Sequence, residues 1–354
     1  MLVFLIVILL LAALLEILSL RGGAERVDLD FTLNRTRSEP DEPIEVTTTA
    51  ANGGRLPITY LTVSLGFPLC AEMPAGVTAV RDPQRCTVTD LLRLWGRQRV
   101  SRTMTFRITQ RGVYSIVGRE LTRGDFLGLR AQSRRLDLRR GVLIYPRRLE
   151  NAALTEALGN YCGELSARRW LLRDPVLTLG VREYTGSEPM HTISWNQTAR
   201  RGELTVREFD YTRSMDCSVI LCVDHIAVQD TELMDRCCGA ARTVCETLIE
   251  HGAAAHLFTN AALIGYGLAP YRTVTAAPGR EEDLLDVLAR ATAMAVSPAA
   301  ELVQRCLEAH TETAAYVLIA PRGDEETREA LEKLEARSAG AMLIDVSALG
   351  GDGP

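Results

Sequence analysis

Polar and apolar residues alternate through four stretches of the first half of the chain, 27–36, 42–52, 56–65 and 102–118, and many of the positions are β-branched. Period-two alternation puts every second side chain on one face of a strand. Asn52-Gly53-Gly54, Gly66, Pro68 and Arg111-Gly112 punctuate these runs with turn residues. Short strands at this spacing predict a β-sandwich over 21–145, immunoglobulin-like in plan.

From 146 onward the period changes. Residues 151–174 read mainly as helix. Residues 218–224, Ser-Val-Ile-Leu-Cys-Val-Asp, form a continuous apolar run of the kind found in a strand buried on both faces. The next segment repeats at helical spacing: Leu233, Met234, Cys237, Cys238, Ala241, Val244, Cys245, Leu248 and Ile249 make one stripe. Asp230 suits its N-cap and Gly252 its stop. Strands are then expected at 253–259, 314–320 and 341–346, and helices at 281–293, 298–310 and 324–338. Such alternation predicts a parallel, doubly wound α/β domain over 146–354.

The first 20 residues form an apolar run broken by one charge, Glu16, a length that matches a bilayer core. Arg21, Arg26, Arg35 and Arg37 follow closely, and no basic residue precedes the run, as a signal peptide would require. The expectation is one transmembrane helix over 1–20, with the bulk of the chain on the cytoplasmic side of the cell membrane. The 40 basic residues include a single lysine, Lys333, and 45 acids outnumber them. That balance argues against nucleic acid as a partner. Nine cysteines in 354 residues fit no small disulfide scaffold and are expected as free thiols, Cys70 and Cys86 included.

Candidate chemistry is sparse. Ligands of open α/β sheets bind beyond the C-terminal strand ends, and the first such end here is Asp224-His225-Ile226-Ala227-Val228. In von Willebrand factor A-like domains an Asp-x-Ser-x-Ser motif at that point holds Mg²⁺ through oxygen ligands. Asp224 matches, and Asp324 could approach the same rim. Ile226 and Val228 occupy the serine positions and offer no side-chain oxygen, so the expected cofactor is none. Cys237, Cys238 and Cys245 lie on the apolar stripe and with His251 fit no familiar zinc spacing. No Gly-x-Ser-x-Gly elbow and no phosphate loop occurs, and the five histidines suggest no nucleophilic set.

One stretch, 182–210, stands apart. It holds Arg182-Glu183-Tyr184, then a Gly/Pro turn region and Ser194-Trp195, then Val206-Arg207-Glu208-Phe209. Paired guanidinium and carboxylate groups bond in fixed orientations. They can pin a long loop, the reading favoured from the residues, or display a charged face to a partner; Trp195 suits either role.

The same stretch resembles the signature of the domain of unknown function 58 family. Its residues here are Arg182, Glu183, Tyr184, Gly186, Glu188, Pro189, Trp195, Ala199, Arg200, Gly202, Leu204, Val206, Arg207, Glu208 and Phe209. Arg111-Gly112-Val113-Tyr114, residues 125–129 and Tyr145-Pro146 resemble the family's lead-in. Family members often carry Asp before the Trp and Lys after it, where this chain has Ser194 and Asn196. The resemblance implies a von Willebrand A-like domain on a membrane-anchored, non-enzymatic scaffold. It implies as partners a MoxR-type AAA ATPase and a transglutaminase-like membrane protein, in cell-envelope assembly or stress handling. It implies no catalytic residues. A metal-dependent A-type ligand-binding domain is the alternative, and an envelope hydrolase a more distant one.

Overall fold

The computed structural model describes Phe4, Ile6, Leu10 and residues 26–125, 130–171, 178–186, 190, 193–209, 216–266, 272–276, 281–309, 315–338 and 340–349. They belong to two compact units, Met1–Arg147 and Arg148–Pro354.

The first unit is a β-sandwich. Its strands are β1 (Val27–Leu33), β2 (Arg37–Ser38), β3 (Ile44–Asn52), β4 (Ile58–Phe67), β5 (Ala71–Glu72), β6 (Ala79–Arg81), β7 (Cys86–Leu94), β8 (Arg99–Ile108), β9 (Gly112–Gly124), β10 (Ala131–Arg135) and β11 (Arg139–Ile144). One sheet runs β1-β3-β8-β5. The other runs β2-β11-β9-β4-β7-β6, with β10 paired to β9. The alternation in the sequence becomes the sandwich directly. Along β3, Ile44, Val46, Thr48, Ala50 and Asn52 point inward while the residues between them are more exposed. Phe31, Ile44, Phe67, Phe106, Ile116 and Leu121 from both sheets meet in one core. The rings of Phe67 and Phe106 pack edge-on with centroids 5.0 Å apart. Burying each such side chain stabilises by about 2–3 kcal/mol.

The second unit comprises α1 (Ala152–Leu171), β12 (Thr178–Glu183), α2 (Trp195–Arg201), β13 (Thr205–Phe209), β14 (Asp216–Leu221), α3 (Thr231–Glu250), β15 (Ala254–Thr259), β16 (Ala261–Leu263), β17 (Arg272–Ala276), α4 (Glu281–Arg290), β18 (Ala291–Ala295), α5 (Ala299–Ala309), β19 (Ala315–Ala320), α6 (Glu325–Glu335) and β20 (Gly340–Asp345). Five strands form a sheet in the order β17-β15-β14-β19-β20. β14 is buried on both faces, which explains its unbroken apolar run. Cys217, Val219 and Leu221 pack with residues of α1, α3 and α4. Ile220 and Cys222 pack with residues of α5 and α6. All nine cysteines are free thiols.

The structure corrects two expectations. Among the described residues no helix is long and apolar enough to cross a membrane. The single transmembrane helix, and the single-pass membrane location drawn from it, are therefore not found. Of residues 1–20 only Phe4, Ile6 and Leu10 are described, each in helical conformation; the rest of the expected anchor lies outside the described residues. A hydropathy run reports composition alone, whereas a span also demands one unbroken helix of sufficient length.

The fold class also differs from a doubly wound, von Willebrand A-like domain joined to a sandwich and an anchor. Among the described residues strand outweighs helix. The five-stranded sheet is mixed, because β17 runs antiparallel to β15. Two further antiparallel pairs, β12–β13 and β16–β18, form separate two-stranded sheets. Apolar runs identify buried strands but carry no information about the direction of a neighbour. Residues 281–293, expected as one helix, divide into α4 and the start of β18. Alanine favours helix by only a few tenths of a kcal/mol over most residues, and pairing with β16 outweighs that preference.

Candidate functional site

The stretch at 182–209 forms a hairpin whose long connection carries a short helix. β12 and β13 pair antiparallel, with Val181 opposite Arg207, Arg182 opposite Val206 and Glu183 opposite Thr205. This register puts Glu183 and Arg207 on one face as diagonal neighbours and Arg182 on the other.

What holds the connection down is a set of small groups. Ile193 bridges Val206, and both are buried. The Ser194 N–H donates to the Thr205 carbonyl (2.8 Å), and the Tyr184 N–H to the Leu204 carbonyl (2.9 Å). The Thr198 hydroxyl accepts from the Thr205 N–H at 3.1 Å and lies 3.2 Å from the Thr205 hydroxyl. Helix α2 closes at Gly202, whose φ of 77° is open to glycine at little cost. Pinning thus falls to Thr198, Thr205, Ser194 and the Ile193–Val206 pair, none of which sequence reasoning had put in that role.

The residues singled out from the sequence are turned outward. Arg182, Glu183, Arg200 and Arg207 are exposed and Tyr184 is half-buried. Trp195, the first residue of α2, is 61% exposed. Met190 and Leu204 are exposed as well. One Arg182 N–H donates to the Glu183 carbonyl at 3.3 Å. The side chain of Glu208, and residues Glu188 and Pro189 of the signature, lie outside the described residues. The exposed surface of the hairpin and its connection, taken over both sides, therefore combines apolar side chains with guanidinium groups, residue types enriched at protein interfaces.

A second candidate lies at the C-terminal ends of β14 and β19. β14 is parallel to β15 on one side and to β19 on the other, so the chain order reverses there. Such switch points open a crevice between strand ends. Asp224 and Asp324 both line it, as expected from the sequence, together with His225, Arg322 and Glu326. Its free volume is about 20 Å³, enough for roughly one water.

Both carboxylates are already engaged. Asp224 accepts from the Asn260 side-chain N–H₂ at 2.6 Å. Asp324 caps α6, accepting from the Thr327 N–H at 2.9 Å and from the Thr327 hydroxyl. The Thr327 hydroxyl bond, then the Thr327 N–H, holds the Asp324 carboxyl below its usual range; nearby His225 adds to the effect. His225 sits in the left-handed region at φ 64°, with Nε2 3.9 Å from Asp324 and 3.6 Å from Glu326. Ile226 is buried and Val228 exposed, and neither supplies an oxygen. Among the described residues no group of three or more His, Cys, Asp or Glu side chains is placed to hold a metal ion.

The organising residue of this corner is Asn260, fully buried just past β15. Its Oδ1 accepts from the Val223 N–H (3.0 Å), and its Nδ2 donates to Asp224 and to the Ser297 carbonyl (2.8 Å). It thereby ties three chain segments together. No sequence signal pointed to it, since a lone asparagine after an apolar strand reads as a turn residue.

No family model and no curated protein matches the chain. Among solved structures it is similar to a CARDB domain from Pyrococcus furiosus, at 13% identity and a TM-score of 0.22, over 33% of this chain and 91% of that one. It is also similar to a cohesin module of a Clostridium perfringens family 33 glycoside hydrolase, at 10% identity and a TM-score of 0.25, over 33% and 96%. A type II cohesin domain from the cellulosome of Acetivibrio cellulolyticus gives 8% identity and a TM-score of 0.24, over 33% and 94%. Likenesses this low carry no argument about function.

Proposed function

We propose that this protein is a non-enzymatic scaffold that acts by binding another protein through the 182–209 hairpin. The observation that carries the reading is Trp195, a large aromatic side chain held outward on a helix pinned at both ends. Leaving an indole in water forgoes about 2–3 kcal/mol of burial, and interfaces recover that energy. Arg182, Arg200 and Arg207 offer guanidinium groups to carboxylates of the partner, while the four arginines of 182–209 are matched by four glutamates, so the surface pairs both signs of charge. The resemblance of this stretch to the domain of unknown function 58 family supports a MoxR-type AAA ATPase as that partner. A transglutaminase-like protein is a second component of the same assembly.

The test is a pull-down of the tagged native protein at native expression, with mass spectrometry. It runs beside an Arg182→Ala/Trp195→Ala variant shown by circular dichroism to be folded. The expected result is an AAA ATPase recovered with the wild type and lost with the variant. Recovery with both would make the hairpin internal bracing, and recovery with neither would remove the ATPase from the reading.

A further inference from the structure

The sandwich has an open side. β8 is paired along one edge with β3 from Arg99 to Phe106, whereas its other edge meets only the two-residue β5 at Arg107 and Ile108. Among the described residues no strand continues that lane past Arg99–Phe106. The chain itself abandons it. After Glu72 the antiparallel course would carry residues 73–78 along β8, but Pro74 has no N–H to give and Gly76 takes φ 90°, so the segment leaves the ladder while Pro74, Gly76, Val77 and Thr78 border the cavity beside it.

The phase of the exposed edge follows from one bond. The Asn52 N–H donates to the Gln98 carbonyl at 2.8 Å. Alternation along the ladder then turns the backbone groups of Ser101, Thr103 and Thr105 toward the empty lane.

Behind the lane lies a cavity of about 550 Å³ between the two sheets. Its inner walls include Val46, Val63, Leu65, Val88 and Met104. Arg102 and Asp90 stand at its mouth on the inward-facing phase of their strands, Arg102 in series with Met104 and Phe106 and Asp90 with Val88 and Leu92, and they form an ion pair. Inward-pointing charge is a known way to keep a free edge from pairing indiscriminately. The segment from Cys86 to Ile108, which crosses from β7 in one sheet to β8 in the other, carries five arginines, Arg93, Arg97, Arg99, Arg102 and Arg107, against the single acid Asp90.

We infer that the β8 lane is a docking site for an extended, acidic segment of another protein with apolar residues at every second position. Its backbone would pair with Ser101, Thr103 and Thr105. Its apolar side chains would enter the cavity, and one acidic side chain in that same inward-facing series, beside Arg102, would take Arg102 from Asp90. This is strand addition, in which main-chain bonds supply affinity and alternate pockets supply specificity. The site lies in a different unit from the Trp195 hairpin, so either can fail alone.

The probe is a fluorescein-labelled nine-residue peptide, Glu-Val-Glu-Val-Glu-Glu-Glu-Val-Glu, which alternates except for one Glu in the inward-facing series to meet Arg102, titrated by anisotropy against the full chain. A peptide of the same composition with its valines in one block is the control. The expected result is saturable binding of the alternating peptide, about tenfold tighter than the block peptide. Arg102→Gln weakens it about tenfold, as loss of a charged hydrogen bond would. Asp90→Asn tightens it, a direction that damage to the fold would not produce. Hydrogen exchange slows at 101–105 on binding. Absence of binding by the wild type, equal binding of the block peptide, or unchanged affinity in both variants would overturn the proposal. Dimers by sedimentation equilibrium that exclude the peptide would also overturn it, giving the lane to a second copy of this chain.

Discussion

The two units of this chain solve the same problem with different materials. The sandwich joins its sheets through apolar contact, with phenylalanines at the centre and arginine–carboxylate pairs such as Arg119–Asp82 on the outside. The second unit buries seven of the nine cysteines and places the fully buried Asn260 at the strand ends. Apolar packing is non-directional and tolerates exchange of similar volumes. A buried amide is directional, and a buried thiol must remain protonated. The sandwich should therefore respond mainly to lost volume, and the second unit to lost hydrogen bonds and to pH.

The largest expected effect is alkaline. Burial raises the thiols of Cys217, Cys222 and Cys245, and pushes Cys306 up to about 12. In the unfolded chain a thiol ionises near pH 8.5. A raised folded value gives stability that is complete below that pH and is lost as pH climbs above it. At pH 9 each of these thiols gives up about 1 kcal/mol. Under reducing conditions, unit-resolved hydrogen exchange should show the second unit loosening well before the sandwich. Equal loosening of both would remove the distinction.

Phe106→Ala should cost the sandwich about 4 kcal/mol through the cavity beside Phe67. Urea unfolding followed by the same exchange readout would report it there and leave the second unit unchanged. Asn260→Ala should cost the second unit about 3 kcal/mol, because the Val223 N–H loses its acceptor and Asp224 its donor. Asn260→Asp sharpens the point. It sets a carboxylate beside Asp224, so its deficit should shrink as pH falls toward 4. A pH-independent deficit would mean that the contact does not govern stability there. Asp230→Ala removes the acceptor of the Leu233 N–H at the start of α3 and should cost about 1 kcal/mol. Trp195→Ala should change stability by less than about 0.5 kcal/mol, since the side chain is mostly in water. A larger loss would make Trp195 a packing residue and weaken its reading as a docking group.

Five strands of the sandwich, β1, β3, β4, β8 and β9, were legible because one face is wet and the other dry, a contrast that period two records, whereas β7 and β11 were not read. Helix α3 was legible for the same reason at period 3.6, and Asp230 is its N-cap. The strands β17 and β18 were not legible. Arg-Thr-Val-Thr-Ala and Ala-Thr-Ala-Met-Ala are short, and their pairing depends on β15 and β16 elsewhere in the chain. Of the candidate residues, Asp224 and Asp324 do share one crevice, but their hydrogen bonds to Asn260 and Thr327 could not be read from spacing.

By itself the sequence determined which segments alternate, which run apolar, where turns fall, and that acids outnumber bases. These are local properties, set by side-chain chemistry at neighbouring positions. The tertiary structure alone decided the antiparallel edge of the second sheet, the empty lane beside β8 and the burial of Asn260. It also decided that Trp195 faces outward while Thr198 and Thr205 hold the loop. Each of these depends on which distant segment arrives alongside, and hydrogen-bond direction and strand order are set by that arrival.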